Sequence, residues 1–477
     1  MQTRNRTWTL IAVALATFMT YLDNNIVNVA IPAIQRDLHL TTAGLEWVVS
    51  GYILVFASLL LAGGRLGDLY GRRRLFTIGL SIFTAASLIA GFAGSDTILI
   101  AARAVQGLGA ALVTPTTLAI ISATYPDPRE RTRAVGIWSA VGALALAFGP
   151  LLGGLISQHL SWGWIFFINV PVGVATIALG LWAIVPDSRL ATARRIDGPG
   201  LVTSALTLFA LTYALIEGHD KGWTLTVIVG SFAPAALSGL VFAIVESRTD
   251  DPMVDVSLFT ERVFSGGITA IVMWGFGLFG IYFFTSIYLQ EVLGFSATVA
   301  GAAFVPMALL MAVGSVVAEK VAARIGSHRS VALAMSLMAA GIASVSLLGR
   351  DSSFIDLMPS FALIGIGGGL SVPLTSMVLG AMPTDQAGVA SGIFNAAREV
   401  AGLLGITVIG AILTARQSAS IHAGHLPTDA FLSGYRTGLL VAGALVAAGG
   451  LAAFLALRGA PHHDVEPDLH AEFALAG

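Results

Sequence analysis

The chain has 477 residues, of which 56% are hydrophobic and only 11% charged, with 54 glycines and a net charge of −2. Soluble domains average about 25% charged residues, so this composition excludes a water-soluble globule and marks an integral membrane protein. The near-neutral balance leaves no nucleic-acid footprint. Zero cysteines exclude disulfides, thiolate metal sites and catalytic thiols. No strand-period alternation favours a barrel. Hydropathy instead predicts fourteen spans, at roughly 8–31, 46–65, 76–94, 98–122, 134–158, 163–185, 198–217, 223–245, 264–290, 297–319, 330–349, 355–381, 388–414 and 436–458, by the length a helix needs to cross the apolar core. The expected fold class is an all-α integral membrane protein with fourteen transmembrane helices.

The first span carries Asp23 in the run LDNNIVNVAIP, with Asn25 and Asn28 beside it. A carboxylate at such depth costs a few kcal/mol at least, so function is its default reading. Arg4 and Arg6 precede the span, but the apolar run is too long for a signal-peptide core and lacks a small-residue cleavage site, so it reads as a retained helix. After the second span comes GRLGDLYGRRR, from Gly64 through Asp68 and Gly71 to Arg72–Arg74. Its glycines allow a tight turn, Asp68 can cap or pair across helices, and the arginines hold the loop on one side, if only as a topology anchor. The fourth span holds Arg103 and Gln106. Arginine keeps its proton, so Arg103 needs a carboxylate nearby, for which Asp23 has a suitable depth, or must snorkel to the headgroups. The fifth contains Gly149-Pro150-Leu151-Leu152-Gly153-Gly154, a close-packing ridge with a bend-permitting proline. Trp274, Phe276, Phe279 and Phe283 enrich the ninth. Phe276, Phe279 and Phe283 share one helical face, which suits either lipid contact or a pocket for flat lipophilic compounds. Asn395, Arg398 and Glu399 lie in the thirteenth, near mid-depth. Neighbouring helical residues diverge by about 100°, so Arg398 and Glu399 cannot both face one partner. Glu399 reads as a proton or cation site, or as a neutral protonated acid. No helical pair of histidines suggests a metal.

Charge and repetition organise the chain. With the N-terminus inside, eighteen of the 25 Lys and Arg fall in inner segments, which places both termini in the cytoplasm. Gly71 and Gly326, Pro115 and Pro373, Gly136 and Gly392, and Gly149 and Gly405 are separated by 255 to 258 positions. The pattern predicts two six-helix bundles, 1–186 and 264–460, a two-helix insert at 187–263, and a tail at 461–477. Moved by one repeat, Asp23 falls on Phe279, so the acid belongs to the first half alone.

Paired six-helix repeats with these motifs resemble the major facilitator superfamily. The run 64–74 is similar to its motif A, Arg103–Ala110 to its motif B, and Gly149–Gly154 to motif C, which marks antiporters. SWGWIFFINVPVG at 161–173 and the Asp23 motif resemble the fourteen-span drug/proton antiporter branch, with Asn25 where a threonine is usual and Glu399 where glutamine is usual. The resemblance implies a monomeric exporter in the bacterial cytoplasmic membrane that expels small lipophilic, including cationic, compounds by alternating access. It implies no enzyme activity and no cofactor beyond a proton gradient, with protons, substrates and membrane lipids as partners. Asp23 would exchange a proton or a cationic substrate, Arg103 would hold it ionised, and Asp68 would latch the cytoplasmic side. Export of lipids or an endogenous metabolite, and uptake on the same fold, remain alternatives.

Overall fold

A computed structural model describes residues 2–186, 197–221, 226–249, 252, 254–380, 382 and 387–458. Fourteen helices in it are long and apolar enough to cross a membrane. They are α1 (Gln2–Leu38), α2 (Thr42–Tyr70), α3 (Arg72–Gly91), α4 (Asp96–Thr124), α5 (Pro128–His159), α6 (Trp164–Ala183) and α7 (Gly198–Lys221). The remainder are α8 (Thr226–Arg248), α9 (Arg262–Ile287), α10 (Ala297–Ile325), α11 (Ser327–Val345), α12 (Phe354–Leu379), α13 (Ala387–His422) and α14 (Pro427–Leu457). Fourteen crossings bring the described ends of the chain to one side, called here the terminal face; the opposite side is the far face. Short polar connections start several helices with side-chain caps: Thr41, Ser95, Asp127 and Ser296 accept from the backbone N–H of Gly44, Ile98, Glu130 and Val299.

The repeat is visible in the backbone. Gly71 and Gly326 each join two helices with positive φ, +97° and +90°, which only glycine adopts without strain. Close packing repeats too. A Cβ on Gly109 would collide with the Gly79 carbonyl and the Phe83 amide, and one on Gly367 with the Ala334 carbonyl and the Met338 amide. Gly107 lies against the Tyr52 carbonyl as Gly365 lies against that of Met307. In lipid, where apolar side chains gain little by leaving their solvent, such backbone-to-backbone contact is what holds helices together.

Three spans depart from the continuous helices expected. α6 is interrupted at Ile168. α12 breaks at Ser371 and Val372, because Pro373 has no N–H to continue the ladder. α9 ends in a π-turn at Tyr288–Val292, from which Gln290 Nε2 reaches the Val29 carbonyl of α1 at 2.9 Å. α7 and α8 pack on each other and sit at the periphery. Only 22% and 17% of their apolar windows are buried, against 78% for α2, so most of their surface faces lipid. The first-half boundary near 187 and the tail at 461–477 lie outside the described residues.

Candidate functional site

Asp23 and Arg103 form an ion pair with neither side chain exposed. Arg103 Nη1 donates to Asp23 Oδ2 and, at 3.0 Å, to Gln106 Oε1, while its Nε donates to the Val48 carbonyl at 3.1 Å. Asp23 Oδ1 accepts from Gln106 Nε2 at 3.1 Å and from Asn169 Nδ2 at 2.7 Å. Ser87 Oγ receives a second proton of Gln106 at 2.7 Å. The guanidinium also lies 4.4 Å from the centre of the Tyr52 ring. Both carboxylate oxygens are thus satisfied from α4 and α6, and Arg103 neither snorkels nor meets water. Breaking a buried pair by removing one partner costs about 3–5 kcal/mol, because the other charge is stranded.

A second pair lies at the junction of the halves. Arg398 Nη2 on α13 donates to Glu399 Oε1 at 3.1 Å and to the Tyr21 hydroxyl of α1 at 3.5 Å. Glu399 is 5% exposed, and its Oε2 has no partner among the described residues. Tyr21, Asn25 and Asn28 share the α1 face that Asp23 turns away from, since two positions rotate a helix by about 200°. The proton-coupling set expected from sequence therefore divides into two pairs, Asp23 with Arg103 and Arg398 with Glu399. Asn25 Nδ2 bonds to the Tyr21 carbonyl at 2.8 Å, Asn28 Oδ1 is buried without a partner among the described residues, and Asn395 Nδ2 bonds to the Ser391 carbonyl of its own helix at 2.9 Å.

Arg398 also walls a cavity of about 230 Å³ between α9, α10, α12 and α13, to which Leu146 of α5 contributes from the first half. Its aromatic wall is not the expected one. Trp274, Leu278 and Tyr282 line it, whereas Phe276, Phe279 and Phe283 occupy other faces of α9. Phe276 packs its backbone on Gly405, Phe279 covers Gly402, and Phe283 is wholly buried against Phe284. Glycines of α13 draw that side of α9 into helix contact, which leaves the opposite side for the cavity.

The glycines of α5 divide their contacts. Gly149 and Gly153 meet Asn25 and Ile26 of α1, while Gly154 meets the Ala297 carbonyl of α10 and Pro150 presents its own carbonyl to Gly301. Thr298 N donates to Gln158 Oε1 at 3.0 Å in the same region. These contacts seal the halves at the far face. At the other end of α2, Gly71 turns the chain so that Arg72 Nη1 donates to the Ala119 carbonyl at 3.3 Å. Gly64 lies 3.5 Å, by its Cβ position, from Pro115, and Arg65 donates to the Pro252 carbonyl within the insert, after α8. The Asp68 side chain lies outside the described set.

The family profile described as Major Facilitator Superfamily matches residues 13–406. The chain belongs to the major facilitator superfamily. Among its relatives, the multidrug resistance protein Stp of Mycobacterium tuberculosis (strain ATCC 25618 / H37Rv) is 36% identical over 419 residues, covering 88% of this chain and 78% of Stp. The tetracenomycin C resistance and export protein of Streptomyces glaucescens is 36% identical over 416 residues, covering 87% and 77%. The puromycin resistance protein of Streptomyces alboniger is 34% identical over 419 residues, covering 87% and 83%. Among solved structures, an auto-inhibited POT family peptide transporter superposes with a TM-score of 0.68 at 18% identity, over 97% of this chain and 98% of that one. A bacterial homologue of the lysosomal transporter Spinster, inward-facing and occupied, gives 0.65 at 17%, over 95% and 97%. At such identities the structures speak for the fold alone.

In this major facilitator protein, sequence reasoning missed Asn169, Ser87 and Tyr52, all part of the Asp23 network. Asn169 stood within the quoted run 161–173, and an amide at the break of an apolar helix was the signal available. Among the described residues, no three His, Asp or Glu side chains gather as a metal site requires.

Proposed function

We propose that this multi-pass membrane protein is a proton-driven exporter of small lipophilic compounds, with its terminal face in the cytoplasm of a bacterial cell. The observation that carries the reading is the fully buried Asp23–Arg103 pair, held by Gln106 and Asn169. An ionised Asp23 neutralises Arg103. A proton on Asp23 removes that balance and leaves a guanidinium in a site of low polarity, so the packing of α1, α2 and α4 around it changes in relative stability. The change reaches Arg398, on the cavity wall, through α1, whose Tyr21 hydroxyl accepts from Arg398 Nη2. The sealed far face corresponds to a state open or occluded towards the cytoplasm. Release to the outside then requires the α5–α10 contact at Gly154 and Gly301 to part.

Relatives named for multidrug, tetracenomycin C and puromycin resistance support export of toxic compounds rather than uptake. The arginines of the inner segments support the orientation. The protein acts as a monomer with lipids, protons and substrate as its partners, needs no cofactor beyond the proton gradient, and performs no covalent chemistry. The test is dye accumulation in everted membrane vesicles under an imposed pH gradient. Wild-type protein accumulates dye, and Asp23→Asn does not while remaining in the membrane. Unchanged accumulation by Asp23→Asn refutes the mechanism.

A further inference from the structure

The cavity beside Arg398 has a one-sided polar chemistry. Arg398 is the single charged residue on its described wall. Nη2 is engaged by Glu399 and Tyr21, while Nε and Nη1 have no partner among the described residues. Trp274 Nε1 is likewise buried without an acceptor. The hydroxyls of Ser315 and Ser371 are turned to carbonyls of their own helices, Met311 and Gly368. No carboxylate joins the described wall, since Glu399 leaves α13 about 100° from Arg398. The Arg398–Glu399 pair is therefore a dipole whose positive end borders the cavity.

We infer that this cavity selects compounds that present a carboxylate, an enolate or clustered carbonyl oxygens on an aromatic body, and that it discriminates against lipophilic cations. Nε and Nη1 open on different edges of the guanidinium, so each offers one charge-assisted donor to an oxyanion, a point-charge contact rather than a fork. Trp274 lines the same wall, and its unpaired indole N–H, closed off from the cavity in this structure, becomes a second donor when the ring turns to the ligand, while Leu278, Met311 and Phe394 supply the apolar bed. A cation entering here meets a like charge and no acid to replace its hydration. The volume, about 230 Å³, is below the roughly 300–1,000 Å³ of sites that enclose drug-sized ligands. It takes the acidic end of a substrate, whose remaining body extends past Leu146 to the first half. This inference rests on the exporter reading only in taking the cavity as the substrate's seat.

Binding to the purified, detergent-solubilised full chain separates the two. Fluorescein and rhodamine 123 share a xanthene body and differ in charge, and fluorescence anisotropy at pH 7 reads both. Wild-type protein binds fluorescein about tenfold more tightly than rhodamine 123, a difference of about 1.4 kcal/mol. Arg398→Gln abolishes the preference, Arg398→Lys retains it, and Trp274→Phe weakens fluorescein alone. Equal binding of the two dyes by wild type, no binding of fluorescein, or a preference that survives Arg398→Gln overturns the inference. If Arg398→Gln does not fold, the wild-type ratio and the Trp274→Phe arm decide. Gradient-driven transport of rhodamine 123 without charge preference leaves the exporter reading standing and removes this one. Charge-selective binding without any gradient-driven transport does the reverse.

Discussion

Neutralising Asp23 and Arg103 one at a time and together tests whether they act as one electrostatic unit. Asp23→Asn leaves Arg103 charged, with nothing exposed to water and Nη2 already without a partner among the described residues. Arg103→Met leaves Asp23 charged with only Gln106 and Asn169 as donors. Each single change should cost about 3–5 kcal/mol, the usual loss on stranding a buried charge. The double variant strands none. The carbonyl of an asparagine at 23 can still accept from Gln106 and Asn169, so its cost should fall to about 1 kcal/mol, the worth of a neutral hydrogen bond. A helical domain of this size loses about 2–4 °C in melting midpoint per kcal/mol. The single variants should therefore melt about 6–20 °C below wild type in detergent, and the double variant within a few degrees of it. Gradient-driven dye uptake in everted vesicles should be lost in all three, which separates stability from coupling. A double variant that melts at the sum of the single losses refutes the pair as a unit.

The other expectations address separate contacts. Asn169→Leu removes a charge-assisted hydrogen bond worth about 1.5–3 kcal/mol; it should lower the melting midpoint and reduce gradient-driven uptake, and wild-type values for both would exclude Asn169 from the network. Gly154→Val places a side chain on the Ala297 carbonyl and should part the halves at the far face. Because the chain has no native cysteine, a Gln158→Cys/Thr298→Cys pair can be cross-linked cleanly, and its yield should fall severalfold in the Gly154→Val background; an unchanged yield counts against the seal. Glu399→Gln removes the counter-charge of Arg398 and should tighten fluorescein binding severalfold, and a weaker binding would place the acid, not the arginine, at the ligand.

Much of the architecture was legible because membrane helices are bounded by strong local rules. The span count and the repeat of Gly71 at Gly326 follow from hydropathy and from a positive-φ turn that admits only glycine. The Asp23–Arg103 contact was legible through depth, since two opposite charges in one apolar layer have few alternatives. Asn169 and Ser87 were not, because an amide or hydroxyl in a helix can bond its own backbone, as Asn395 does with Ser391. The aromatic face of α9 was misplaced for a related reason. Periodicity shows that Phe276, Phe279 and Phe283 share a stripe, but the stripe is apolar whether it meets lipid, another helix or a cavity. Only the partner glycines Gly402 and Gly405 decide, and their register against α9 is a tertiary fact.

The asymmetry of the two halves has a physical consequence for coupling. Similar glycine contacts recur in the two halves, yet the position that matches Asp23 in the second half holds Phe279. With Asp23 unmatched at the repeat position, changing its protonation alters one bundle and not the other, so on the proposed mechanism the two must communicate through a shared element. α2 is placed to be that element: the Arg103 guanidinium lies over the Tyr52 ring, while Gly392 and Gly410 of α13 pack on Leu61 and Glu46 along the same helix. On the proposed mechanism, with helix contacts set by glycine, α2 cannot adjust locally without overlap, and a changed charge balance at Asp23 is relieved by moving the helix as a body. The pair at Arg398 and Glu399 then moves relative to Tyr52, and with it the wall of the cavity.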